Sequence, residues 1–333
     1  MKVFVFNPEH DLCLAHKEAH YMPPQSALQF ANDCCSLMRF FAEEGDVCIP
    51  ASRFGEALST KQTIEAIIPW GWNPTLRASL LQQGAPMELL PTAQQIDKVR
   101  CFSDRSLTTS IHNQIASKIA HCTLPPSICT SLEQVLHLCQ TYRQAVLKSP
   151  LSGSGKGIRP VAFPLSMNEE GWVRNILRQF GHILVEKRYE VVQDFAMLFE
   201  INQGKVTFIG YSLFANRGFT YAHNHLLTDS QIQSQLQNLM PTLHLDELQA
   251  RMMRVLEDCD ASIPYLRVGV DMFFCKASDT DEMLINPICE LNYRHTMGHL
   301  SHEMLRRHPE WVGKQFTIEK PSANHSNYTF SIQ

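Results

Sequence analysis

The residues best placed for chemistry lie between Val146 and Arg159, VLKSPLSGSGKGIR, where a lysine ends a short apolar run and a glycine-rich loop follows. Val146 and Leu147 read as the end of a strand, and Pro150 stops it. Beyond it, Gly153, Gly155 and Gly157 alternate with Ser154 and Lys156. Glycines carry no Cβ and tolerate positive φ, so backbone N–H groups in such a loop can come close to an anion. The chemistry this suggests is the holding of nucleotide phosphates, although the same residue types also build plain turns. A Walker A loop is excluded, because Pro150 stands where it needs glycine and Gly157 where it needs Ser or Thr. A dinucleotide fingerprint needs its glycines just after the first strand. That place holds Asn7-Pro8-Glu9-His10. What remains is a loop joining two antiparallel strands, with Lys148 projecting from the first.

This arrangement resembles that of ATP-grasp enzymes, and three further segments follow in that family's order across about 93–310. ILVEKRYE at 183–190 is similar to the hinge segment that hydrogen-bonds adenine, which implies roles for Glu186 and Lys187. Asp194 stands where the family often has an acid for the ribose hydroxyls. GVDMFF at 269–274 and INPICELN at 285–292 supply Asp271, Glu290 and Asn292, matching the family's carboxylate, carboxylate and asparagine set. In a strand, residues two apart face the same side, so Glu290 and Asn292 can address one ion. Oxygen ligands with room for phosphates and water suit Mg²⁺, with Mn²⁺ as a substitute.

The resemblance implies ligation through an acyl phosphate. ATP would be bound by a first basic residue, by Lys148, by Gly153, Ser154, Gly155, Lys156 and Gly157, and by the hinge. The local match for that first basic residue is Arg105 in SDRSLT, with Lys98 and Arg100 as competitors. Arg294, in Asn292-Tyr293-Arg294, falls where the family places an arginine near the acyl phosphate or carboxylate. Lys148 and Arg294 are thus the implied catalytic cations. Relatives that carry a further arginine two residues before the metal aspartate differ from this chain, which has Gly269 there; Arg267 is a candidate substitute, though it reads better as a surface strand residue. The expected activity is an ATP-dependent carboxylate-amine or carboxylate-thiol ligase, with small-molecule or peptide substrates. The alternatives are a small-molecule kinase on the same fold, or a histidine-rich metal-binding protein.

These residues need a scaffold. The reading is α/β: a small parallel N-terminal domain over 1–91, then two ATP-grasp subdomains with antiparallel sheets, 92–180 and 181–315, and a tail at 316–333. Strands at 2–6, 47–49 and 67–70 alternate with helical stretches near 24–44 and 76–83, which implies a parallel sheet. Ligands on such sheets sit at the carboxyl ends of strands, which draws attention to Asn7–Tyr21, read as a polar loop. Thr92 is placed to cap a helix starting at Ala93. Further helices are expected near 104–119, 229–239 and 245–259, and the polar stretch from Lys320 to Asn327 reads as loosely held.

Two histidine groups stand out. His10, His16 and His20, beside Glu9 and Asp11, match no metal signature and read as a polar connecting loop, with direct substrate contact as the alternative; His295, His299 and His302 have helical spacing and either line the acceptor pocket or lie on an exposed face. The eleven cysteines form no CxxC pair and read as reduced thiols. Strand alternation turns Cys289 away from Glu290. With 333 residues, 44% hydrophobic and 19% charged, and a net charge of −4, the chain has an ordinary globular composition. It shows no basic footprint for nucleic acid, no apolar run long enough for a membrane and no signal-peptide pattern at Met1. A cytoplasmic location is the expectation.

Overall fold

Three sheets make up the scaffold. The computed structural model describes residues 1–60, 62–153, 155, 157–218, 220–277, 280, 282–321 and 326–333. The first unit holds strands β1 (Lys2–Phe6), β2 (Val47–Pro50) and β3 (Ala66–Pro69), with helices α1 (His10–His16), α2 (Gln25–Asp33), α3 (Phe54–Leu58) and α4 (Pro74–Gln82). Its sheet is parallel, in the order β2-β1-β3. Val3, Phe4, Val5 and Phe6 are all buried, as expected for a central parallel strand covered on both faces. The loop expected at Asn7–Tyr21 is helical from His10 to His16. The helix expected near 24–44 is instead α2 followed by a 3₁₀ segment, Cys35–Phe40.

Helices α5 (Ala93–Phe102) and α6 (Leu107–Ala116) lead into the second sheet. Thr92 caps α5 in a capping box with Gln95. The second sheet contains β4 (Ser127–Cys129), β5 (Gln144–Lys148), β6 (Ile158–Ala162) and β7 (Ile183–Lys187), in the order β4-β7-β5-β6 and antiparallel throughout. Helices α7 (Leu132–Tyr142) and α8 (Met167–Phe180) cover it. Val135, Cys139, Val173 and Ile176 pack there on Leu147 and Val185. The glycine-rich segment joins β5 to β6.

The third sheet has seven strands: β8 (Glu190–Asn202), β9 (Lys205–Arg217), β10 (Thr220–His225), β11 (Tyr265–Lys276), β12 (Met283–Asn292), β13 (Gln315–Glu319) and β14 (Thr329–Ile332). Their order is β12-β11-β8-β9-β10-β13-β14. Helices α9 (Asp229–Leu239), α10 (Leu245–Asp258) and α11 (Met297–Arg307) pack against it. The segment expected as a tail is a correction: β13 and β14 pair with each other, and β13 joins β10. Fully buried Phe316 anchors this hairpin in a core shared with Phe4, Phe6, Trp70, Leu300 and Met304. Burial of a large side chain such as Phe is worth about 1.5–3 kcal/mol, which fixes the segment in place. The same cluster docks the N-terminal unit onto α11, so the carboxyl end of β1 faces the residues that follow β12. Among the described residues, no helix is long and apolar enough to cross a membrane.

Candidate active site

The site forms where the three sheets meet. On β5 and β7, Val146 lies opposite Glu186 and Lys148 opposite Leu184, which makes Lys148 and Glu186 diagonal neighbours on one face. Lys148 Nζ sits 2.6 Å from Glu186 Oε1 and 3.4 Å from Cys289 Sγ. Burial opposes the lysine charge, but the Cys289 sulfur and the Glu186 carboxylate raise its pKa above the ordinary lysine value. Cys289 is pushed up to about 12 by burial, against the pull of Lys148.

That Cys289 reaches Lys148 at all corrects the alternation argument. Asp271 pairs with Glu290 and Phe273 with Asn286, so Pro287, Ile288 and Cys289 stand opposite Met272 alone. This is a bulge, and bulges re-aim side chains. Buried Asn286 closes it by accepting from the Ile288 N–H at 3.1 Å. Neighbouring residues then serve the same site: Cys289 meets Lys148, and Glu290 meets Arg105.

Arg105 lies just before α6, 3% exposed. Its Nη2 donates to Glu290 Oε1 at 2.6 Å, and its Nη1 to Ser149 O and Ser152 Oγ at 2.8 Å each. It thereby clamps the base of the glycine-rich loop. Lys98 instead bonds Asp260 O and Ser262 Oγ, and Arg100 bonds Leu14 O. Of the three, the structure brings Arg105 to Lys148 and Glu290. The loop is closed by a 2.7 Å bond from Ser149 N–H to Gly157 O, and Gly155 has φ +73°. A Cβ on Gly157 would come within 3.0 Å of Ser149 Cβ, and one on Gly153 within 3.1 Å of Asp11 Cβ. Ser154 and Lys156 lie outside the described residues.

Asp271, Glu290 and Asn292 share one face of β11 and β12, Gly269 pairing with Asn292. Asn292 Nδ2 donates to Asp271 Oδ2 at 3.0 Å. Asp271 is pushed up to about 7 by burial and by the charge of Glu290, against Arg294 and the Asn292 hydrogen bond. Two carboxylates and an amide, with one carboxyl resisting ionisation, fit a divalent cation that takes oxygen ligands. Gly269 is required for packing: a Cβ there would meet Thr296 Cγ2 at 2.8 Å, at the start of α11. Arg267 is no surface residue; it pairs with Glu200 at 3.1 Å and Glu303 at 3.5 Å.

Asp194 accepts from Asn216 Nδ2 at 3.0 Å and is pushed up to about 6 by burial. Asn216, the last but one residue of β9, is a cross-strand diagonal neighbour of Asp194, a juxtaposition that only the strand pairing reveals. Lys187 lies over the Tyr189 ring at 5.7 Å rather than beside Lys148.

Arg294, just past β12, completes the site by gripping Asp11 of the N-terminal unit. Its Nε and Nη2 donate to Asp11 Oδ1 and Oδ2 at 2.8 Å each. Burial alone would raise the Asp11 carboxyl, but Arg294 holds it below its ordinary range. The sequence had marked the loop containing Asp11 without singling out this residue; the partner is 283 positions away. Neither histidine group forms a metal centre: among the described residues no three His, Cys, Asp or Glu side chains are placed to hold an ion. His295 and His299 are buried, held by Trp70 O and Phe199 O, and burial lowers the pKa of both. They are buried rather than on an exposed helix face.

Glu9, one residue before α1, is 8% exposed, and its Oε2 has no hydrogen-bond partner among the described residues. Burial pushes it up to about 7 from 4.5. The folded state then keeps a proton that the unfolded chain has lost, so stability is full below about pH 4.5 and falls as pH rises through about 7. Glu9→Gln is expected to remove about 2–3 kcal/mol of that loss. Urea unfolding of both proteins at low and neutral pH checks this; parallel pH profiles would clear Glu9 of the effect.

No protein-family model and no curated protein sequence matches the chain. Solved structures do. Biotin carboxylase from Campylobacter jejuni, in a β,γ-ATP complex, is 13% identical with TM-score 0.51, covering 91% of this chain and 67% of that one. Pyruvate carboxylase from Rhizobium etli is 14% identical with TM-score 0.50, over 92% of this chain and 27% of that one. A D-cycloserine synthetase, at 10% identity and TM-score 0.49, covers 92% and 99%. The chain has the ATP-grasp fold, with mixed helices, a small parallel sheet and antiparallel sheets.

Proposed function

We propose that this protein is an ATP-dependent ligase that activates a carboxylate as an acyl phosphate and passes the acyl group to an amine. One observation carries the reading: cations from three separate parts of the chain, Arg105, Lys148 and Arg294, converge with Asp271, Glu290 and Asn292. Phosphoryl transfer asks for little beyond positioning and charge stabilisation. Lys148 and the base of the glycine-rich loop would receive the ATP phosphates, and Arg105, now on Glu290, would turn to them. Glu186, the Lys187 backbone and Asp194 would hold adenosine. Asp271, Glu290 and Asn292 would hold Mg²⁺, which supplies charge neutralisation at the phosphates. Arg294 would seat the carboxylate that attacks the γ-phosphoryl group. The amine then attacks the acyl carbon, phosphate leaves, and an amide remains. Closure of the loop over this centre would keep water from the intermediate.

The test is calorimetry with ATP and Mg²⁺ on the wild type, Lys148→Met and Glu290→Gln, assayed well below their melting midpoints. We expect micromolar binding by the wild type, weakened at least about tenfold without the lysine charge, and a loss of Mg²⁺ dependence in Glu290→Gln. A folded wild type that binds no ATP would refute the proposal. ADP release that requires both a carboxylate and an amine would then separate ligation from simple phosphoryl transfer.

A further inference from the structure

The anion-gripping edge of Arg294 is already in use. Nε and Nη2 form a two-pronged grip on both oxygens of Asp11 at 2.8 Å, and Nη1 donates to His295 O at 3.1 Å. A carboxylate or phosphate would want that same pair of parallel donors. Asp11 comes from α1 of the N-terminal unit, and Gly153 of the phosphate loop closes over it. The cleft between Asp11, Leu151, Ser152, Glu290 and Asn292 has about 10 Å³ free, room for about one water. The paired donors of Arg294 that would grip an oxyanion are thus both taken by Asp11.

We propose that Asp11 is an internal occupant of the Arg294 anion seat, and that a substrate carboxylate, or the phosphoryl group of the acyl phosphate formed from it, binds there only by displacing Asp11. The proposal rests on the reading of Arg294 as the carboxylate's seat. Its consequence is selectivity: an incoming anion must compete with a carboxylate tethered at high local concentration. Only one that gains further contacts in the cleft takes the seat. Asp11 is then a specificity-determining residue rather than a catalytic one.

The alternative is that Asp11 merely steadies Arg294, and the two roles predict opposite effects. Inorganic phosphate is titrated calorimetrically into the wild type, Asp11→Asn, Asp11→Ser and the control Glu9→Gln, each with saturating MgADP and again without nucleotide. If Asp11 competes, both Asp11 variants bind phosphate at least about tenfold more tightly, while ADP affinity stays within about twofold. Glu9→Gln, which removes a neighbouring carboxylate not on Arg294, should match the wild type. Unchanged, weaker or undetectable phosphate binding in the Asp11 variants overturns the proposal, as does equal tightening in Glu9→Gln. If MgADP does not bind, the ligase reading falls, and the nucleotide-free titrations still judge Asp11. The serine variant keeps the comparison if the asparagine variant does not fold.

Discussion

Lys148→Met is expected to destabilise the protein by about 3–5 kcal/mol, because it strands Glu186 as a buried charge. The two side chains are 4% and 9% exposed and 2.6 Å apart. The cost comes less from losing the attraction than from leaving a carboxylate with no counter-ion and little water. The double variant Lys148→Met/Glu186→Leu should therefore recover most of the loss, since apolar groups of similar volume often replace a buried pair at little cost. Urea unfolding of wild type, both singles and the double gives the coupling directly. A lysine variant as stable as the wild type would mean that Glu186 finds water or another cation. The recovered double variant would still lack the cation that the proposed function places at the phosphates, so stability and nucleotide binding should separate in it.

Gly71→Ala should cost about 1–3 kcal/mol, as overpacking of a filled site does. A Cβ there would stand 2.6 Å from His10 Cγ and Nδ1 and 2.8 Å from Cε1. The ring has nowhere to go: it is 1% exposed, with Nδ1 3.4 Å from Asn73 Nδ2. The backbone cannot easily yield either, since Asn7 bonds both Gly71 O at 2.8 Å and Gly71 N at 3.3 Å. Adding His10→Ser to Gly71→Ala opens the space and should restore at least about 1 kcal/mol relative to the sum of the single effects. Additive effects in chemical unfolding would show that the strain is relieved elsewhere. Because Asp11 follows His10, the alanine variant should also disturb the Asp11–Arg294 pair, connecting packing at the parallel sheet to the cleft.

The legible parts of this protein were those encoded within short stretches. Lys148, the loop after it, the strand carrying Glu186, and the Glu290/Asn292 spacing were all readable, because strand alternation and glycine geometry act over a few residues. The cap formed by Thr92 on α5 was readable for the same reason. Hidden parts depended on partners far along the chain. The segment SDRSLT marked Arg105 ahead of Lys98 and Arg100, but only Glu290, arriving from 185 positions away, separates the three. The bulge at Pro287–Cys289 broke an alternation argument that held elsewhere. The C-terminal segment looked unheld because its anchor, Phe316, packs on distant partners, among them Phe4 and Phe6 of β1 and Leu300 and Met304 of α11.

By itself, then, the sequence determined the local pieces: a lysine-bearing strand, a glycine-rich hairpin loop, oxygen-bearing side chains paired on one strand face, and alternating helices and strands at the N-terminus. These follow from backbone geometry and side-chain chemistry within a few residues of each other. Only the tertiary structure decided which charges meet. Arg294 grips Asp11, Arg105 grips Glu290, and Lys148 lies between Glu186 and Cys289. Each of these contacts is made by folding elements distant in sequence onto one another, and the energy of a buried charge depends on what that packing brings within about 4 Å of it.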